Sequence, residues 1–163
     1  MDVRNSARPV RCAEQGPAVP EQGGAGPMGV FVLCAWLVTA GLGGYLATVW
    51  VRHGGLRQRT PGVTRLPLWL VLGHVALAVA GLATWTAYVV AGVRSSAWAA
   101  CAVVLIVAAF GFMMLLRWMP SSGRHSHGGA TAERHFPLTA VVAHGMTAGA
   151  TVHLVLLVVL GKA

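Results

Sequence analysis

The residues best suited to chemistry in this 163-residue chain are its seven histidines, and two of them share a sequence context. "LPLWLVLGH" runs from Leu66 to His74 and "FPLTAVVAH" from Phe136 to His144. Both read apolar–Pro–Leu–five residues–His, with Arg65 or Arg134 just upstream. Each proline suits the first turn of a helix, where its missing N–H leaves nothing unsatisfied. At a rise of about 1.5 Å per residue, both imidazoles then lie about 10 Å along their helices. Two neutral imidazoles at matched depth on facing helices can ligate a b-type haem, given room for a flat macrocycle. His74 and His144 are therefore the candidate cofactor-binding pair, with haem b as the candidate cofactor.

The same pair admits a plainer use, in which each ring hydrogen-bonds a threonine or a carbonyl on a neighbouring helix. Thr147 and Thr151 share a face with His144, and Thr84 and Thr86 lie further along the helix of His74. Small residues reach the depth of the pair from the other helices at Gly41, Gly43, Gly44 and Gly111. Glycines there would make room for a macrocycle. Gly145 and Gly149, by contrast, form a small-xxx-small motif that favours close helix contact. At about 8–10 Å between axes, such contact would exclude a haem. His153, nine residues past His144, falls on the opposite face of the helix and cannot join the same site.

A weaker site is offered by the loop "RHSHGGATAERH", where His125, His127 and His135, with Glu133, are donor types for zinc or copper. Their spacing matches no fixed metal motif, and a solvated basic loop is the plainer reading. His53 lies on the same side of the membrane and would either join that site or rest in the interface. Met113 and Met114 point about 100° apart on a helix, so they form no thioether pair.

These residues must be positioned by membrane helices. The chain is 56% hydrophobic and 10% charged, against about a quarter charged in a soluble domain. Uncharged runs cover Gln22–Val51, Leu66–Val93, Ser95–Leu116 and Phe136–Gly161. Each holds more than the roughly 18 apolar residues that mark a membrane-spanning helix. The expected fold is an all-α, four-helix transmembrane bundle with helices at about 28–51, 66–92, 96–118 and 137–160. The matching Pro-Leu-x5-His segments, 70 residues apart, further predict two tandem helical hairpins.

The net charge of +8 comes from loop residues without an amphipathic stripe, which speaks against nucleic acid. Loops 1 and 3 carry Arg52, Arg57, Arg59, Arg65, Arg117, Arg124 and Arg134. The other side carries Arg94, Lys162 and a tail whose Arg4, Arg8 and Arg11 are offset by Asp2, Glu14 and Glu21. The positive-inside tendency then puts both termini outside and loops 1 and 3 in the cytoplasm. Trp50, Trp69 and Trp118 read as belt anchors at the cytoplasmic interface, with Trp98 and Tyr88 near the outer one.

Residues 1–27, rich in Gly, Pro, Glu and Gln, read as a disordered tail, and Met28 stands where a translation start would suit. Cys12, Cys34 and Cys101 have no metal spacing and read as small packing residues. No carboxylate lies within a span, which removes the usual proton or cation relay of a pump. The chain has no P-loop, Gly-x-Ser-x-Gly, His-Glu-x-x-His or C-x-x-C, so a stand-alone enzyme is disfavoured.

"TRLPLWLVLGH" and "AERHFPLTAVVAHG" resemble a family of small four-helix integral membrane proteins of high-GC bacteria, over about residues 28–161. That resemblance implies the membrane fold and brings no activity with it. The layout is also similar to four-helix b-type cytochromes, which implies paired membrane histidines and electron transfer. The competing expectation is a non-catalytic accessory protein that packs with a partner or with itself. The expected surroundings are the lipid bilayer and, beyond it, a homodimer or larger membrane complex.

Overall fold

The computed structural model describes residues 26–58, 62–119 and 131–162. Four long helices carry the fold: α1 (Pro27–Arg52), α2 (Leu68–Ala91), α3 (Arg94–Trp118) and α4 (Leu138–Val159). A short 3₁₀ turn at Ala132–His135 precedes α4, and no strand is present among the described residues. The spans of 26, 24, 25 and 22 residues compare with the roughly 20 needed to cross about 30 Å of hydrocarbon. All four helices are long and apolar enough to cross a membrane, the architecture of a multi-pass membrane protein.

Local sequence sets the helix ends. Pro67 and Pro137 take extended backbone at the N-caps of α2 and α4, so the repeated Pro-Leu pair starts both helices in the same way. Glycine ends α2: Gly92 takes the left-handed conformation at φ 68°, and its N–H returns to the Tyr88 carbonyl at 2.8 Å. Arg52 and Arg117 fall in the last turns of α1 and α3, where cations complement the helix dipole. These ends, with the starts of α2 and α4, form the basic end of the bundle.

Packing runs mainly between the two repeats. The most extensive contacts join α2 to α3 and α4 to α1, while α1 and α2 within one hairpin meet only sparsely. The hairpins of the sequence repeat therefore interlock, and each half of the bundle is completed by a helix from the other.

A core away from the basic end gathers Val32 and Trp36 of α1, Trp85 of α2, Ala97, Ala100, Cys101 and Val104 of α3, and Val155 and Val159 of α4. Trp85 is fully buried, and its indole N–H donates to the Gly29 carbonyl at 3.0 Å. Gly81 leaves space for Trp36, whose ring would stand 2.8 Å from a Cβ built there. Outward faces stay apolar and open, with Val90 79% and Met146 71% exposed, as lipid-facing surfaces require. Residues 1–25 lie outside the described residues, and with them Cys12 and most of the expected tail. Cys34 is exposed and Cys101 buried, and both are free thiols. Cys34 therefore does not serve as the packing residue expected of it.

Candidate functional site

The structure brings His74 and His144 together. Their ring centroids lie 6.3 Å apart, with the planes inclined at 69°. His74 Nδ1 donates to the Val107 carbonyl of α3 at 3.1 Å, and His144 Nδ1 donates to the Thr39 carbonyl of α1 at 3.1 Å. Because a carbonyl only accepts, the proton of each neutral ring is on Nδ1, and Nε2 keeps its lone pair. Among the described residues, neither Nε2 has a hydrogen-bond partner. Both rings are half-buried.

Glycine gives each ring its access. Gly111 lies one turn beyond Val107, and Gly43 one turn beyond Thr39. A helical Cβ leans toward the N-terminus, so a side chain at either position would overhang the carbonyl that the imidazole must reach. A Cβ built at Gly43 would meet His144 Cε1 at 3.0 Å, and one at Gly111 would meet His74 Cε1 at 3.2 Å. Gly41 and Gly44, expected at the same depth, have nothing within 4 Å and make no such room. Thr39 and Val107 are separated by the same number of residues as Gly43 and Gly111. The site is thus built twice on one pattern, each half using a histidine from one repeat and a carbonyl–glycine pair from the other.

The threonines take no part in holding the rings. Thr84, Thr86 and Thr147 each donate to a carbonyl of their own helix. Thr151 and Thr39 hydroxyls meet at 3.2 Å between α4 and α1. His153 is exposed on the outer face of α4, away from the pair. Gly145 and Gly149 have nothing within 4 Å, so the small-xxx-small motif does not draw the bundle shut around the histidines.

A second polar node closes the basic end. Glu133 is 2% exposed, and its Oε1 accepts from Trp50 Nε1 at 3.1 Å, the Arg65 N–H at 3.0 Å, the Leu66 N–H at 3.2 Å and the Thr64 hydroxyl. Its backbone carbonyl accepts from Trp118 Nε1 at 3.1 Å. One residue thereby ties the ends of α1 and α3 to the starts of α2 and α4. Burial alone raises the Glu133 pKa. Hydrogen bonds from the Thr64 hydroxyl, its own backbone amide, the Leu66 amide and the Trp50 indole outweigh that effect, and the carboxyl titrates below its ordinary range. Among the described residues, Oε2 is buried without a hydrogen-bond partner.

Glu133 Oε1 is committed to these hydrogen bonds, and the node corrects one expectation. Trp50 is 2% exposed and Trp118 partly buried, both with their indoles turned to Glu133, so neither is a simple lipid-facing belt residue. Trp69, 59% exposed, does face outward. The usable signal was that Glu133 is the one carboxylate outside the N-terminal tail.

Of the weaker loop site, His125 and His127 lie outside the described residues. His135 is exposed and stacks on His53, with centroids 3.8 Å apart and planes 12° from parallel. Among the described residues there is no group of three or more His, Cys, Asp or Glu that could hold a metal ion. No protein-family model, curated protein or solved structure matches this chain.

Proposed function

We propose that the protein is a b-type haem-binding electron-transfer protein of a bacterial inner membrane, in which His74 and His144 would hold the haem. The observation that carries this reading is the spacing of two rings that are both anchored through Nδ1. The haem would be held through Nε2 of each ring, the nitrogen that the Nδ1 anchor leaves free. The rings stand 6.3 Å apart. Metal-ligating histidines commonly donate their other ring N–H to a carbonyl, which fixes tautomer and orientation. Both rings do this.

The donor count favours haem over a bare ion. A structural zinc site takes four protein ligands and a catalytic one three, whereas a haem iron takes four nitrogens from its own macrocycle and needs two from the protein. When bound, the haem supplies one-electron redox chemistry. The protein's part is to hold two imidazoles, exclude water and set a low dielectric around them. The positive-inside tendency supports termini outside and the basic end in the cytoplasm.

A reduced-minus-oxidised absorbance spectrum of the detergent-purified, haem-supplied protein tests the reading. Soret and α bands lost in both His74→Ala and His144→Ala are expected. A folded, haem-replete and colourless wild type overturns it. A second reading, an accessory protein that packs with a partner or with itself, is favoured by the open glycines Gly145 and Gly149 on α4, and a colourless protein would leave it standing.

A further inference from the structure

We infer that the cleft at the end of α1 binds the phosphate of an anionic phospholipid headgroup. The cleft, with a volume of about 510 Å³, is lined on its polar side by Arg52, His53 and Arg57. Val51, Leu56 and Val63 complete it. All three polar residues are exposed. They sit where α1 leaves the apolar span, the level at which headgroups lie. Basic pockets at such helix ends recognise acidic headgroups, and a guanidinium presents paired donors that match phosphate oxygens.

A helix C-terminus would ordinarily repel an anion, because its last carbonyls carry partial negative charge. Here three of the last four carbonyls are occupied. The Val49 carbonyl accepts from the His53 N–H at 3.1 Å and from His53 Nδ1 at 2.8 Å. The Trp50 and Val51 carbonyls accept from the Gly55 and Gly54 N–H groups at 2.9 and 3.1 Å. Nδ1 of His53 is committed to the Val49 carbonyl and the ring stacks on His135, so the donors left for a phosphate are the guanidinium groups of Arg52 and Arg57. Gly54, at φ 88°, turns the chain so that Val63 and the aliphatic stem of Arg57 close over it, at 3.5 and 3.6 Å from a Cβ built there. Among the described residues, no carboxylate lines the cleft.

The apolar rim selects a lipid over free phosphate. Val51, in the last turn of α1, is 45% exposed, and Leu56, in the turn that follows, is 54% exposed. An acyl chain can follow that rim while its phosphate meets the arginines. The inference is independent of haem binding.

The test reconstitutes the full chain into vesicles of mixed phosphatidylglycerol and phosphatidylcholine, re-extracts it and measures the lipid retained by native mass spectrometry. Wild type is expected to retain phosphatidylglycerol in preference. In the Arg52→Gln/Arg57→Gln variant that preference should fall roughly twenty-five-fold, from about five-fold for each surface cation. Arg117→Gln, at the same end but outside the cleft, should keep it. An equal loss in Arg117→Gln would mean diffuse attraction to the basic end and overturn the site. Unchanged preference in the double variant would also overturn it. Inorganic phosphate is the remaining probe: if it displaces the bound phosphatidylglycerol completely, the site takes free phosphate and the lipid assignment fails.

Discussion

His74 and His144 stand 70 residues apart in the sequence and 6.3 Å apart between ring centroids, each anchored through Nδ1 on a carbonyl from the other half of the chain. Neither repeat could hold its own histidine. His74 of the first repeat depends on Val107 of the second, and His144 of the second depends on Thr39 of the first. The pair therefore exists only when the two hairpins interlock, which makes the site a direct report on correct assembly of the bundle.

Glycine at the two contact points is testable. Gly43→Ala places a methyl 3.0 Å from His144 Cε1. Such overpacking costs roughly 1–3 kcal/mol and moves the ring off its carbonyl. Gly111→Ala, at 3.2 Å from His74, should cost less. Gly41→Ala and Gly44→Ala, with nothing within 4 Å, serve as controls and should unfold at or slightly above the wild-type temperature. Thermal unfolding in detergent ranks the four, and equal midpoints for Gly43→Ala and Gly41→Ala would contradict the contact.

Glu133 should be the most sensitive polar residue of the chain. Glu133→Ala leaves the Arg65 N–H without its acceptor, while the Trp50 indole and the Leu66 N–H keep only the Thr64 hydroxyl, at 3.0 and 3.1 Å. At about 1–3 kcal/mol for a buried group left unsatisfied, a loss of about 2–3 kcal/mol is expected. Glu133→Gln keeps an acceptor oxygen and should lose roughly 1 kcal/mol. Chemical unfolding followed by tryptophan fluorescence separates these outcomes.

The same carboxylate sets an acid limit. Its folded pKa is depressed, so its stabilising contribution is full above the unfolded carboxylate value of about 4.3 and is lost as pH falls through the folded value. Stability of the wild type should hold down to the ordinary carboxylate range and decline only below it. Glu133→Gln should flatten that decline. An unfolding midpoint measured against pH in both proteins decides the matter, since a parallel decline in the variant would assign the effect elsewhere.

At the opposite end, Gly81→Ala drives a methyl to 2.8 Å from Trp36 and 3.1 Å from Val103. Both neighbours are bulky and held within the bundle. The expected cost is about 1–3 kcal/mol, against the gain of up to about 1 kcal/mol that Gly→Ala brings at an open helical position. A lowered thermal midpoint is the expected sign, and a raised one would mean the Trp36–Trp85 contact yields easily.

The sequence by itself determined the four helices, their ends and the depth of the histidines. Uncharged apolar runs can be satisfied in a bilayer only by helices, and a proline at a fixed distance before each histidine sets both to one depth. Those are local properties, written in consecutive residues. Only the tertiary structure decided that α2 rests on α3 and α4 on α1, that Gly43 and Gly111 rather than Gly41 and Gly44 receive the rings, and that carbonyls rather than threonines hold them. It also turned Trp50 and Trp118 from expected lipid anchors into donors to Glu133. Which face of an apolar helix meets which neighbour leaves little trace in a segment that is apolar all round. That choice is made by packing across distant parts of the chain, and a main-chain carbonyl, present at every position, marks none of them in advance.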